Sequence, residues 1–187
     1  MNTDTPVSLE TDRLILRQWI PSDVPDFRKM GRCDEVMKYF PKKLSEEESD
    51  HLASKLSSLI AERGWGLWAV EEKASKRFTG FTGLHYTPDD LPFSPALEIG
   101  YRFSKDYWGK GFATEAASRV LDFAFRELKV EEIVSFTSVT NVPSQRVMER
   151  IGLINSKSNF LHPKIPNTSP LQEHVLYTLT NHQCAQA

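Results

Sequence analysis

The sequence predicts a mixed α/β fold with a mostly antiparallel sheet, and three observations carry that reading. Segments 44–64 and 111–128 repeat apolar residues every three or four positions, as amphipathic helices do. Between them lie "GLWAVEE", "RFTGFTGLHY" and "ALEIGYRFS", short runs separated by charged or proline-rich turns, which suit an antiparallel meander. After the second helix, "EEIVSFTSVT" and "QEHVLYTLT" add two further strands around a short helix.

Taken in order, "TDRLILRQWI" (11–20) alternates and reads as the opening strand, and "PSDVPDFRKM" follows as a helix with Ser22 as its N-cap. The helix at 44–64 carries a capping box in Ser45 and Glu48. Leu52, Leu56, Leu59 and Ile60 lie on one face, and Gly64 ends it. The long helix presents Ala113, Ala116, Ala117, Val120, Leu121, Ala124, Phe125 and Leu128 as one stripe. Asn141 caps the short helix that ends at Gly152, and the last strand is expected to close the sheet. A chain of 187 residues without repeats or a linker-like segment reads as one domain, large enough to bury a core without crosslinks.

Composition narrows the function. With 40% hydrophobic and 26% charged residues and a net charge of -2, the chain has no basic field to draw nucleic acid. The two cysteines, Cys33 and Cys184, lie far apart without metal-ligand spacing and read as free thiols of a reducing cytoplasm. "MNTDTPVSLE" lacks the basic and apolar regions of a signal peptide, and no apolar run is long enough to span a bilayer. A cytoplasmic protein without a membrane or nucleic-acid partner, and without a metal, is the expectation.

The stretch "YWGKGFATEA" places Gly109, Lys110 and Gly111 at the entrance of the long helix. Glycine there costs conformational entropy, so the loop is either a structural turn or a shaped anion site at a helix N-terminus. It is not a Walker loop, because Ser104 and Gly111 stand where glycine and Ser/Thr are required. Nor is it a dinucleotide fingerprint, since Thr114 replaces the third glycine.

The segments "ALEIGYRFSKDYWGKGFATEA" and "IVSFTSVTNVPSQRVMERIGL" together resemble the GNAT superfamily of acetyl-CoA-dependent N-acetyltransferases, in the branch of the ribosomal-protein N-terminal acetyltransferases. The likeness runs from Thr11 to the terminal strand, with "RLILRQW", "GLWAVE" and "HPKIPNTSPLQEHVLY" among its parts. Its most specific motifs are Trp108 to Ala113, similar to the family's (Gln/Arg)-x-x-Gly-x-(Gly/Ala), and Asn141-x-x-Ser144 ahead of Gly152. The resemblance implies a mostly antiparallel sheet with a central, splayed parallel strand pair, flanked by helices, and acetyl-CoA as cosubstrate between those strands. The backbone of Tyr101 and Phe103 would then pair with the pantetheine arm. The N–H groups around Gly109, Lys110, Gly111, Phe112, Ala113 and Thr114 would take the pyrophosphate, and Asn141 the pantetheine or acetyl end. Trp108 departs from the Gln or Arg of the pattern, at a place where the contacts are mostly backbone.

The implied reaction is attack of a primary amine, from a protein N-terminus, a lysine or a small molecule, on the acetyl thioester. The position where many members carry an acidic tyrosine is Met148 here, which cannot donate a proton. Ser144, one turn earlier, resembles the serine given this task in the ribosomal branch; its other reading is support of the helix start. Glu98, on the strand face shared with Gly100 and Arg102, is the candidate base, acting through water; its other reading is an ion pair with Arg102. His85, Glu173 and His174 are further candidates, and Trp65 and Trp68 read as core or, for one ring, as a border of the acceptor site. A catalytically silent acyl-CoA-binding module is the competing reading, favoured by Met148. Acceptor choice falls to the first two helices and to loops 87–95 and 160–171, and monomer or dimer stays open.

Overall fold

The computed structural model describes residues 6–184, with the side chains of Gln183 and Cys184 outside the description. The leader-segment expectation rests partly on residues 1–5, and the Cys184 thiol expectation on a side chain, that lie outside the described residues. The fold is mixed α/β with a mostly antiparallel sheet and one parallel strand pair. The chain forms two compact units, one from residues up to Leu84 together with Gly100–Val120, the other from His85–Ile99 together with Leu121 onward.

In the first unit β1 (Leu9–Glu10), β2 (Leu14–Arg17), β3 (Leu67–Glu72) and β4 (Arg77–Tyr86) follow one another as antiparallel neighbours, and β5 (Leu97–Phe103) comes next to β4. The strand expected over 11–20 is therefore only four residues of β2, with Leu14 and Leu16 fully buried. Helices α1 (Val24–Arg32) and α3 (Glu46–Arg63) pack on each other, α3 also packs on β3, and the single turn α2 (Asp34–Met37) follows α1. Ser22 is not the cap expected of it. It sits in a 3-10 turn, Pro21–Asp23, where the Asp23 carboxylate accepts from Ile20 N at 2.9 Å and is held bidentately by Arg17.

The α3 capping box is present, with Ser45 Oγ accepting from Glu48 N and Glu48 from Ser45 N, and Gly64 closes the helix in the left-handed region at φ 80°. Its buried stripe is Ser49, Ala53, Leu56 and Ile60, while Leu52 and Leu59 are only half-buried. Burial of β4 runs unbroken from Phe78 to Leu84, so both of its faces are covered. Trp19, Phe27, Phe78 and Phe81 pack edge to face or tilted, with centroids 5.1 to 6.4 Å apart. Trp68 is fully buried, as expected of it, and donates Nε1 to Val7 O.

In the second unit β5 pairs in parallel with β6 (Glu132–Ser138), at Glu98 opposite Val134, and β9 (Glu173–Thr180) runs antiparallel to β6. The last strand does not close the sheet. Two-residue strands β7 (Ile154–Asn155) and β8 (Phe160–Leu161), too short to show a period, both pair with β9. Helix α5 (Val142–Arg150) starts at Asn141 and stops before Gly152, which adopts φ 90°. A last turn, α6 (Asn181–Cys184), follows β9.

Helix α4 (Phe112–Arg126) contributes Phe112, Ala116, Ala117 and Val120 to the first unit's core. Leu121, Phe123, Ala124 and Phe125 serve the second. Ala113 and Leu128, expected on its stripe, are only half-buried. No helix among the described residues is long and apolar enough to cross a membrane.

Candidate active site

The loop that leads into α4 belongs to the first unit. After β5 the chain makes a 3-10 turn, Lys105–Tyr107, and passes through Trp108–Gly111. Gly109 and Gly111 have φ of 73° and 81°, left-handed values that suit glycine. A Cβ at Gly109 would meet nothing within 4 Å, and at Gly111 the nearest atom would be Arg13 Nη2 at 3.5 Å. Crowding by the protein does not explain these glycines. They shape an exposed stretch of backbone that runs into the first turn of α4, whose N–H groups have no intrahelical acceptor.

Side chains fix the loop from several directions. Trp108 donates Nε1 to Phe103 O at 2.9 Å, so the residue that departs from the family pattern acts as a strut, and the Phe103 carbonyl already has a partner. Tyr107 stacks on Phe112 at 6.0 Å, and Lys110 Nζ lies 4.8 Å over the Tyr107 ring. Arg13 gives Nη1 to Lys110 O at 2.9 Å, and its guanidinium lies 4.7 Å over Phe112. It also grips Glu115 through Nε at 2.7 Å and Nη2 at 2.5 Å, while Thr11 Oγ1 donates to Glu115 at 2.6 Å. Burial alone would raise the Glu115 pKa, but these donors outweigh it and hold the carboxylate below its usual range. Neither Arg13 nor Glu115 was singled out from the sequence, where about a hundred residues separate them and no spacing rule joins them.

The α5 end of the candidate set lies in the second unit. Asn141 Oδ1 accepts from Ser144 N at 3.3 Å, and its Nδ2 donates to Thr137 Oγ1 at 2.9 Å. Its amide is thus an N-cap tied back to β6. Ser144 follows at the third helical position, half-buried, behind Val142 and Pro143. Met148 is 1% exposed and belongs to the core, which accounts for an apolar residue at that position.

Glu98 is 8% exposed and its partner is His85, with Oε2 3.1 Å from Nε2. Its expected companion, Arg102, has no carboxylate among the described residues. Burial works to lower the His85 pKa, but the hydrogen bond and the charge of Glu98 overcome it and leave the imidazole above 6.5. His85 Nδ1 is buried without a partner among the described residues. Ser135 Oγ donates to Ile99 O at 3.0 Å, joining β6 to the residue after Glu98. His174 is buried in β9 with Nδ1 against Gln172 O, and burial lowers its pKa, while Glu173 accepts from Asn159; neither resembles a poised base.

The residues compare with one large family. A model of the acetyltransferase (GNAT) domain matches residues 13–154. The chain belongs to the GNAT family. The GNAT relatives include the uncharacterized N-acetyltransferase YoaA of Bacillus subtilis, 30% identical over 146 residues, 77% of this chain and 81% of that one. The protein YkkB of the same organism is 36% identical over 99 residues, 52% of this chain; the match spans only 56% of YkkB. A GNAT-family acetyltransferase from Bacillus anthracis superposes with a TM-score of 0.78 at 25% identity, covering 94% of this chain and 99% of that one. A ribosomal-protein-S5-alanine acetyltransferase from Vibrio fischeri shares the fold with a TM-score of 0.73 at 20% identity, over 94% and 97% of the two chains.

Within the second unit, the two loops assigned to acceptor choice meet. Phe93 lies 5.1 Å from Phe160 and 5.6 Å from Phe136, and Lys164 pairs with Asp90 at 3.3 Å. Pro92, Phe93, Ser158, Asn159, Phe160 and Leu176 line a shallow cleft of about 220 Å³. Among the described residues no group of three or more His, Cys, Asp or Glu side chains is placed to hold a metal ion.

Proposed function

We propose that the chain is a single GNAT-like domain over residues 1–187 that transfers acetyl from acetyl-CoA to a primary amine in a ternary complex. The observation that carries this reading is the left-handed Gly109–Gly111 loop, clamped by Arg13 and Glu115 and open where backbone N–H groups would meet a pyrophosphate. Gly109 to Thr114 would hold the pyrophosphate, with Lys110 as a mobile counter-charge. The backbone of Tyr101 and Phe103 would accompany the pantetheine arm. Acetyl-CoA supplies an activated acyl group on a thiolate leaving group.

For the transfer, the amine must lose a proton and the departing thiolate must gain one. Glu98 is assigned to the first task, with His85 as its partner. A carboxylate bonded to Nε2–H leaves the Nδ1 lone pair as a second resting place for the proton. Ser144 is assigned to protonate the thiolate. Asn141 orients the α5 start through its cap and Thr137 rather than by a free amide.

The test is CoA-dependent thermal stabilisation followed by thiol release from acetyl-CoA over a panel of amines. Ser144→Ala should leave stabilisation by CoA intact and lower kcat by about 100-fold, as loss of a general acid does; an unchanged kcat removes the assignment. The buried, tyrosine-less Met148 position favours a second reading, a silent acyl-CoA-binding module. Stabilisation by CoA with no thiol release from any amine would establish that reading instead.

The Glu98–His85 pair also sets a pH dependence. Because the folded-state pKa of His85 is raised, the pair's contribution to stability is full below about 6.5 and fades as pH rises through the elevated value. The proton acceptor is available in the opposite range. kcat/KM should therefore rise with pH along a one-proton limb whose midpoint lies above 6.5, and His85→Asn should remove that limb. A profile unchanged in His85→Asn takes His85 out of the reaction.

A further inference from the structure

Arg102 differs from four other arginines of its unit. Arg13, Arg17, Arg28 and Arg32 each hold a carboxylate, from Glu115, Asp23, Asp50 and Glu46 respectively. Arg102 holds none. Its guanidinium carbon lies 3.9 Å over the Phe40 ring and 5.3 Å from the centre of Phe81. Its Nε and Nη1 are buried and have no hydrogen-bond partner among the described residues. Burial lowers its pKa to about 10, so it is still a cation at neutral pH.

The position is not an accident of a loose strand. A Cβ at Gly80 would stand 2.2 Å from Arg102 O and 2.7 Å from Phe103 Cα, so the backbone of β4 closes directly on the strand that carries this arginine. The two rings offset part of the cost of burying the charge, since a guanidinium stacks well on aromatic faces. They leave the Nε and Nη1 donors without an acceptor among the described residues, and a buried donor without an acceptor is costly. Nearby Lys105 offers no alternative charge for a ligand, because Glu35 holds it.

We propose that Arg102 is an acceptor-recognition residue that binds a carboxylate carried by the amine substrate, which makes this an acetyltransferase for amines bearing their own carboxylate. The proposal rests on the acetyltransferase reading above and names its substrate class. A stacked guanidinium presents its N–H groups edge-on, the geometry that a planar carboxylate meets with two parallel hydrogen bonds. One positive charge in aromatic surroundings balances one carboxylate, whereas a phosphate dianion would leave a buried negative charge over. Residue alternation along β5 places Arg102 on the strand face that carries Glu98 and Gly100.

The experiment is calorimetric titration of CoA-loaded protein with matched amines, each free amino acid against its primary amide and against O-phosphoethanolamine. The amino acids should bind at least 10-fold more tightly than their amides and than the phosphate. Arg102→Met should erase that difference, and Arg102→Lys should restore part of it. Arg102→Met should also raise the melting temperature of the ligand-free protein while leaving its stabilisation by CoA unchanged, which a merely structural arginine would not do. Equal binding of acid and amide, preference for the phosphate, or a lower melting temperature in Arg102→Met overturns the proposal. Thiol release is scored separately: carboxylate-dependent binding without turnover would refute the transferase reading and keep the site, and turnover indifferent to the carboxylate would do the reverse.

Discussion

Gly83→Ala is expected to lower the stability of the chain by about 4 kcal/mol, at the large end of what one substitution does. Gly83 adopts φ 152°, and a Cβ there would stand 1.9 Å from Gly66 O and 2.9 Å from both Gly66 C and Leu67 Cα. All three contacts are main-chain atoms of the β3 entrance, so no side chain can swing aside. Relief would require β3 and β4 to separate at Leu67 opposite Gly83, where the ladder begins. Trp68 is fully buried one residue farther along, so that separation would also open the core. Chemical denaturation with unchanged slope would measure the loss. A drop below about 1 kcal/mol would show that the strands give way more cheaply than close packing allows.

Gly111→Asp is expected to abolish stabilisation by CoA, which for the native chain at a hundred times its Kd amounts to about 2.7 kcal/mol. The fold should survive, because aspartate tolerates the left-handed region better than most residues and Gly111 is exposed. Its carboxylate would project from the loop beside Arg13 Nη2 and fill the anion position with a fixed negative charge. Gly111→Asn, of the same shape and without the charge, should retain part of the CoA response. If the aspartate variant is stabilised by CoA as strongly as the native chain, the pyrophosphate does not bind at this loop.

Much of the fold was legible because its signals are local. The Ser45–Glu48 box, the glycine stop at Gly64 and the β4 limits at Arg77 and Tyr86 depend on neighbours a few residues away, and they appear as read. Ser22 misled because Asp23 next to it could both serve Ile20 N and receive Arg17, and a bidentate ion pair outcompetes a hydroxyl. β7 and β8 escaped notice because two residues show no alternation; β9 supplies the pairing that makes them strands.

The candidate site divides along the same line. Gly109 and Gly111 were legible from their type and spacing, since few backbone conformations need two glycines at a helix entrance. Glu98 was legible as a strand carboxylate, but neither its burial nor its partner was. The i,i+4 spacing on β5 suggested Arg102, and only the neighbouring strand could bring His85 within 3.1 Å. Arg102 stands not beside Glu98 but between two rings, without a counter-ion among the described residues, a condition no sequence pattern announces.

The clamp on the loop has a consequence for how the protein comes into being. Thr11 and Arg13 reach Glu115 across 104 and 102 residues of chain, and Arg13 reaches Lys110 across 97. A loop fastened by contacts that distant gains nothing from the rapid local steps that form α3 or the β3–β4 hairpin; it waits for the slow closure of a long segment. During synthesis the turn between β1 and β2 must remain available until the start of α4 has emerged. If the loop holds the pyrophosphate as proposed, stabilisation by CoA should then appear late in refolding, after most helical signal has returned, even though the loop itself is one short stretch.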